Sequence, residues 1–160
     1  MGSGPIVIGY DGTEASDHAI AEAGRLLEGR PALVVVVYKQ GLGFEAAELP
    51  TVTMGFPPAP LDVRTALEID AAIYEGAQRM AQQGAERAMD AGFEAEGLAV
   101  ADDVEIPVAE TLVKVASERD APAIVVGAHG HGRLSTVVLG STSRDVIRKA
   151  SCPVVVVRQS

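Results

Sequence analysis

Ala32-Leu-Val-Val-Val-Val-Tyr38 carries the strongest signal of the fold. It runs without a charge, and its centre is β-branched. A strand with one wet face alternates apolar and polar residues. A continuous run is covered on both faces, as in a parallel sheet flanked by helices. Pro5-Ile-Val-Ile-Gly9, Ala123-Ile-Val-Val-Gly127 and Pro153-Val-Val-Val-Val157 repeat the pattern. Phe93 to Val100 is a weaker fifth strand, in which apolar and polar residues roughly alternate.

Helical patterns fill the gaps. Residues 14–28 place Ala19, Ala23, Leu26 and Leu27 on one face, and residues 66–91 repeat Leu67, Ala71, Tyr74, Ala77, Ala81, Ala85 and Ala88 at steps of three and four. Pro107 opens a helix to about Arg119, with Val108, Leu112 and Val115 inward. A last helix runs from Ser141 or Thr142 to Ala150, with Val146, Ile147 and Ala150 inward. Strict β/α alternation predicts a single-domain open parallel five-stranded α/β sheet with helices on both faces. Gln40 to Thr65 breaks the pattern with three glycines, four prolines and no apolar period, and is read as a flexible insertion, a flap near the strand ends. Residues 5–158 form the domain, after an N-terminal extension or tag remnant at residues 1–4.

The 160 residues suit one domain, and a 48% hydrophobic, 22% charged composition is that of a folded globular chain. A net charge of −9 repels phosphate backbones and argues against nucleic acid. No apolar run approaches the ~20 residues that span a bilayer, and Met-Gly-Ser-Gly lacks the basic start of a signal peptide. A single cysteine, Cys152, allows no internal disulfide and reads as a small core residue. These features together predict a cytoplasmic protein without a membrane partner.

Chemistry concentrates in Gly127-Ala-His-Gly-His-Gly-Arg-Leu-Ser-Thr-Val-Val-Leu-Gly140-Ser-Thr-Ser143, which leaves a buried strand and enters a helix. Gly127, Gly130, Gly132 and Gly140 let a ligand approach the backbone. Ser141, Thr142 and Ser143 stand where helix-start amides and the helix dipole favour an anion. The pattern predicts a polyphosphate cradle; the plainer alternative is a tight loop with Ser141 as helix cap. It is neither a Walker A loop nor a Rossmann fingerprint, lacking Gly-Lys-Ser/Thr and following the fourth strand. Ligands bind in open α/β sheets where the strand order reverses, so the end of the first strand, Gly9-Tyr10-Asp11-Gly12-Thr13, belongs to the same site. Asp11 accepts a hydrogen bond from the ligand or holds a divalent cation, magnesium or manganese; alternatively it forms an Asp-Gly turn with Thr13 as helix cap. His129 is a candidate phosphate donor, while His131 and Arg133 read as solvated and His18 as surface. No catalytic triad is apparent. Asp11 and His129 are the only candidates for slow hydrolysis.

The chain resembles the universal stress protein family. The resemblance rests on Ile6-Val-Ile-Gly-Tyr-Asp-Gly-Thr-Glu-Ala-Ser, on Ile124-Val-Val-Gly-Ala-His-Gly-His-Gly through Leu139-Gly-Ser-Thr-Ser, and on Cys152-Pro-Val-Val-Val-Val. Gly127, Gly130, Gly140 and Ser141 match the spacing of its ATP-binding branch. The resemblance implies strand order 3-2-1-4-5, an adenine nucleotide α-hydrolase-like architecture, and ATP between the first and fourth strands. It places Asp11 near ribose and metal and Val37 against adenine. Val126, Gly127, His129 and Gly130 would lie along the ribose and α-phosphate, and Gly140, Ser141, Thr142 and Ser143 at the outer phosphates. It implies a homodimer through Val154, Val155, Val156 and Val157, which closes an apolar sheet edge. His131-Gly132 departs from the family's usual residues after the second loop glycine, so AMP and cyclic AMP compete with ATP as candidate ligands. Three functions follow: a stress-response protein with ATP as regulatory ligand, a slow ATPase or nucleotide hydrolase, and a dimeric scaffold that binds no nucleotide.

Overall fold

The continuous β-branched runs become the centre of a sheet. A computed structural model of the chain describes residues 2–43, 63–128 and 139–159. Its strands are β1 (Ile6–Gly9), β2 (Pro31–Lys39), β3 (Glu94–Asp102), β4 (Ile124–Ala128) and β5 (Val154–Arg158), all parallel, in the order β3-β2-β1-β4-β5. Four helices lie among the described residues: α1 (Glu14–Leu27), α2 (Val63–Asp90), α3 (Val108–Glu118) and α4 (Ser141–Lys149). The α/β class, the parallel sheet and the implied strand order are all as expected. Most of the expected flap falls outside the described residues, and the second helix begins at Val63, before the expected residue 66.

Successive residues of a strand point to opposite faces, and each face has its own core. Ile6, Ile8, Val34 and Val36 pack with Ala19, Ile20 and Ala23 of α1 and Ala77, Ala81 and Ala88 of α2. Val7, Val35, Ile124 and Val126 pack with Leu112 and Val115 of α3 and Val146 of α4. The chain steps from β1 to β2 to β3 in one direction, then returns past β1 to β4 and β5. Crossovers of one hand therefore place α1 and α2 on one face and α3 and α4 on the other. The direction reverses between β1 and β4, so the helical crossovers diverge at the crevice between their carboxyl ends.

Small residues let α2 lie close to the sheet. A Cβ at Gly84 would sit 2.7 Å from Val34 Cγ1, and one at Gly97 of β3 would sit 2.4 Å from the carbonyl oxygen of Ala81.

Several helix-face expectations need correction. Leu26 is 72% exposed, because α1 leans on the corner at Ala91 through Gly24, half a turn away from Leu26. Leu67 and Tyr74 are exposed, and Ala71 with them. At 100° per residue, Leu67 lies about 80° around the helix from Ala77, where the buried line runs. Tyr74 instead stacks at a tilt on Tyr38, with ring centroids 5.9 Å apart. Ile147 is exposed, one residue round from the buried Val146. Pro107 is the N-cap of α3, one position before the first turn. At the opposite end of the sheet, Ser3 donates from its amide and its hydroxyl to Asp120 Oδ2, both at 2.9 Å. Cys152 is partly buried, and burial raises its pKa, which keeps the thiol protonated.

Candidate functional site

The ladder between β1 and β4 pairs only Val7 with Ile124 and Ile8 with Val125. Beyond those rungs the strands part, and a cleft of about 670 Å³, including its open mouth, lies over the gap. Gly9, Asp11 and Thr13 form one wall. Val126, Gly127, Thr142 and Ser143 form another, and Val37 stands at the β2 side. Of the expected site residues, Gly9, Asp11, Val37, Val126, Gly127, Thr142 and Ser143 thus come together. Gly140 and Ser141 begin α4 beside them, and Ser141 faces an adjoining recess with Thr142 and Lys39. His129 and Gly130 lie outside the described residues, as do His131 and Arg133.

The Asp11 wall is built locally. Gly12 takes φ +75°, the left-handed geometry of a tight turn. Asp11 Oδ1 accepts from the Thr13 amide at 3.0 Å and from the Thr13 hydroxyl at 2.5 Å. Thr13 Oγ1 in turn accepts from the Ser16 amide at 3.3 Å, capping α1. The Asp-Gly turn and the cap are therefore both present, and the same turn sets the Asp11 carboxylate at the cleft. Behind it, the Tyr10 hydroxyl donates to Asp17 Oδ1 at 2.8 Å, and Arg87 Nε lies 3.0 Å from the same oxygen. Burial, then the bond to Asp17, raises the Tyr10 pKa. His18 is partly buried.

The opposite wall is the start of α4. Gly140 is its N-cap, no side chain among the described residues caps this end, and its first turn holds no acidic residue. Ser141 is therefore the first helical residue and not the cap. First-turn amides have no acceptor within their own helix. Ser143 is almost fully buried, and its hydroxyl donates to the Gly127 carbonyl at 2.8 Å. A Cβ at Gly127 would sit 2.8 Å from the Ala15 carbonyl oxygen, so only glycine lets the end of β4 lie this close to the start of α1.

The floor is apolar: Val35, Val126 and Leu112, with Val108 at its edge. Sequence reasoning read Leu112 and Val108 as an inward stripe but not as part of the site. The link is Gly9, whose absent side chain makes room for Leu112: a Cβ there would meet Leu112 Cδ1 at 3.0 Å. Ala15 and Ser16 also line the cleft without being expected there, and a capping signal at Thr13 is their only trace in the sequence. Among the described residues, no three His, Cys, Asp or Glu side chains converge on a metal position. No helix among them is long and apolar enough to cross a membrane.

The cleft thus joins an apolar floor and a carboxylate to an uncapped helix start, a combination suited to a ligand with an apolar body and an anionic end. Known proteins share the framework. A universal stress protein of Mycolicibacterium smegmatis is 31% identical over 153 residues, which is 95% of this chain and 47% of that protein. That match spans less than half the length of the relative, and a 70-residue match to a universal stress protein of Methanocaldococcus jannaschii, 37% identical, covers 44% of this chain and 41% of that protein. The solved Archaeoglobus fulgidus universal stress protein in complex with dAMP is 24% identical, with a TM-score of 0.57 over 98% of both chains. A universal stress protein solved in complex with cAMP is 21% identical, with a TM-score of 0.63 over 98% of both chains. These two likenesses support the fold alone. Residues 3–158 match the sequence profile of the universal stress protein family, and the chain belongs to that family.

Proposed function

We propose that this chain binds an adenine nucleotide, ATP foremost, as a regulatory ligand of a cytoplasmic stress response. The observation that carries the reading is the uncapped start of α4 facing an apolar-floored cleft at the β1/β4 reversal point. Adenine would lie toward Val37 and the floor, ribose toward Asp11, and phosphates toward the amides of Thr142 and Ser143. Family members solved with dAMP and cAMP add support, since both ligands are adenine nucleotides. A magnesium or manganese ion would take Asp11 as one ligand and phosphate oxygens and water as the rest, the usual arrangement for a hard cation on a nucleotide.

Titration calorimetry with ATP, AMP and cAMP tests this. The expected result is saturable binding of one nucleotide per chain with ATP tightest; heats of dilution alone for all three would refute it. ADP release that disappears in Asp11→Ala would replace the regulatory reading with hydrolysis.

The last strand supports a second copy as partner. Among the described residues β5 is a sheet edge bonded only to β4, and Val154, Val155 and Val156 are only partly buried. Apolar edges of this kind are normally covered or paired. Light scattering should give twice the 16.5 kDa chain mass, and a monomer mass at micromolar concentration would exclude the pairing.

A further inference from the structure

We infer that Ser143 serves the nucleotide site as a positioning residue: its hydroxyl caps the Gly127 carbonyl and latches the first turn of α4 to the end of β4. The inference rests on the nucleotide reading above and changes the role of one residue within it. A hydroxyl has a single proton to donate. In Ser143 that proton goes to Gly127 and is not offered to a phosphate oxygen.

The strand geometry explains why Gly127 needs this partner. The N–H and C=O groups of one strand residue point to the same neighbouring strand, and successive residues alternate. The Val7 amide donates to the Ala123 carbonyl, and the Ile124 amide donates to the Pro153 carbonyl. Ala123 therefore faces β1 and Ile124 faces β5. Counting along β4, Val125 and Gly127 face β1 as well. The β1–β4 ladder ends at Val125, so Gly127 stands two residues past the last rung. Its carbonyl opens onto the crevice where the strands part. An uncapped carbonyl there would turn the negative end of its dipole toward an incoming phosphate. The Ser143 hydroxyl covers that oxygen.

The same bond fixes α4. Ser143 lies in its first turn, and the adjoining Gly140 has no side chain to hold the helix start. Gly127 is gripped from the other side by the start of α1, where a Cβ would meet Ala15. The latch therefore sets the angle at which the Thr142 and Ser143 amides face the cleft. The phosphate donors are then those backbone amides, together with the Ser141 and Thr142 hydroxyls.

The test uses isotope-labelled full-length protein, first without nucleotide. In Ser143→Ala, the Gly127 carbonyl carbon resonance should shift to the position of an oxygen lacking a hydroxyl donor, while Ser143→Thr should keep the wild-type position. A Gly127 carbonyl unmoved in Ser143→Ala would overturn the latch. On wild-type protein saturated with ATP, the slowly exchanging Ser143 hydroxyl proton should persist with its contact to Gly127; its transfer to a phosphate would also overturn the proposal. Ser143→Ala should weaken ATP about tenfold, the usual effect of stranding one buried acceptor. Affinity equal to wild type would contradict the positioning role. If Ser143→Ala does not fold, Ser143→Cys, with its weaker S–H donor, should move the same carbonyl part of the way. Wild-type protein that does not bind ATP would end the nucleotide reading, and the carbonyl measurement would still decide the bond.

Discussion

Two helices begin at the rim of the same cleft, and they begin differently. α1 is closed by its own sequence: Thr13 caps it, Glu14 and Asp17 lie in its first turn, and Asp11 holds the cap. α4 starts at Gly140 with no side-chain cap and no acid in its first turn. Among the described residues, the positive end of one helix dipole is thus neutralised, and that of the other is left facing the cleft. On a chain of net charge −9, such an open helix start gives an anion a local attraction against a repulsive overall field.

The comparison breaks most sharply in Gly140→Asp. Gly140 sits at φ −58°, ψ 161°, a backbone any residue adopts, and aspartate is a favoured N-cap. The new carboxylate would take the amides proposed for phosphate and make α4 resemble α1. Urea unfolding should show unchanged or slightly raised stability, while calorimetry should show ATP weakened by at least about 100-fold, the loss of two or more charge-assisted bonds. Wild-type affinity in this variant would mean that phosphate binds elsewhere.

Thr13→Ala makes the converse change. Removing the cap of α1 should lower stability by about 1 kcal/mol in urea titration. ATP affinity should fall far less than in Gly140→Asp, and an equal fall would erase the distinction between the two helix starts.

Tyr10→Phe probes the α1 side alone. The hydroxyl bond to Asp17 should be worth roughly 1 kcal/mol at neutral pH. Because the folded state raises the Tyr10 pKa, its contribution is complete below the ordinary phenol value of about 10 and is lost as pH rises through the higher folded value. The stability gap between wild type and Tyr10→Phe should therefore narrow above pH 10. A gap that widens there would reverse the assigned sign.

The sheet was legible because Leu33–Val37 and its companion runs are apolar on both faces, a pattern that only a sheet covered on both sides uses. Helix positions were legible, but their facing was read less well. Leu26, Leu67, Tyr74 and Ile147 are placed inward by steps of three and four, and each is exposed; for Leu26 and Tyr74 the cause is a contact the sequence does not display. For Leu26 that contact is Gly24 against Ala91. The site was legible where local pattern carries it, as at Gly140 and Asp11. Leu112 beneath Gly9 joins residues about a hundred positions apart. The Ser143–Gly127 bond joins two residues that the sequence pattern assigns to the ligand, so nothing local hints that they bind each other.

In the proposed complex the start of α4 receives the phosphates of an adenine nucleotide. A crystal structure of the full chain grown in millimolar Mg-ATP tests it most directly. Phosphate oxygens should lie within hydrogen-bond distance of the Thr142 and Ser143 amides, with adenine against Val37. Solvent alone along that helix start, or phosphates bound at the start of α1, would contradict it.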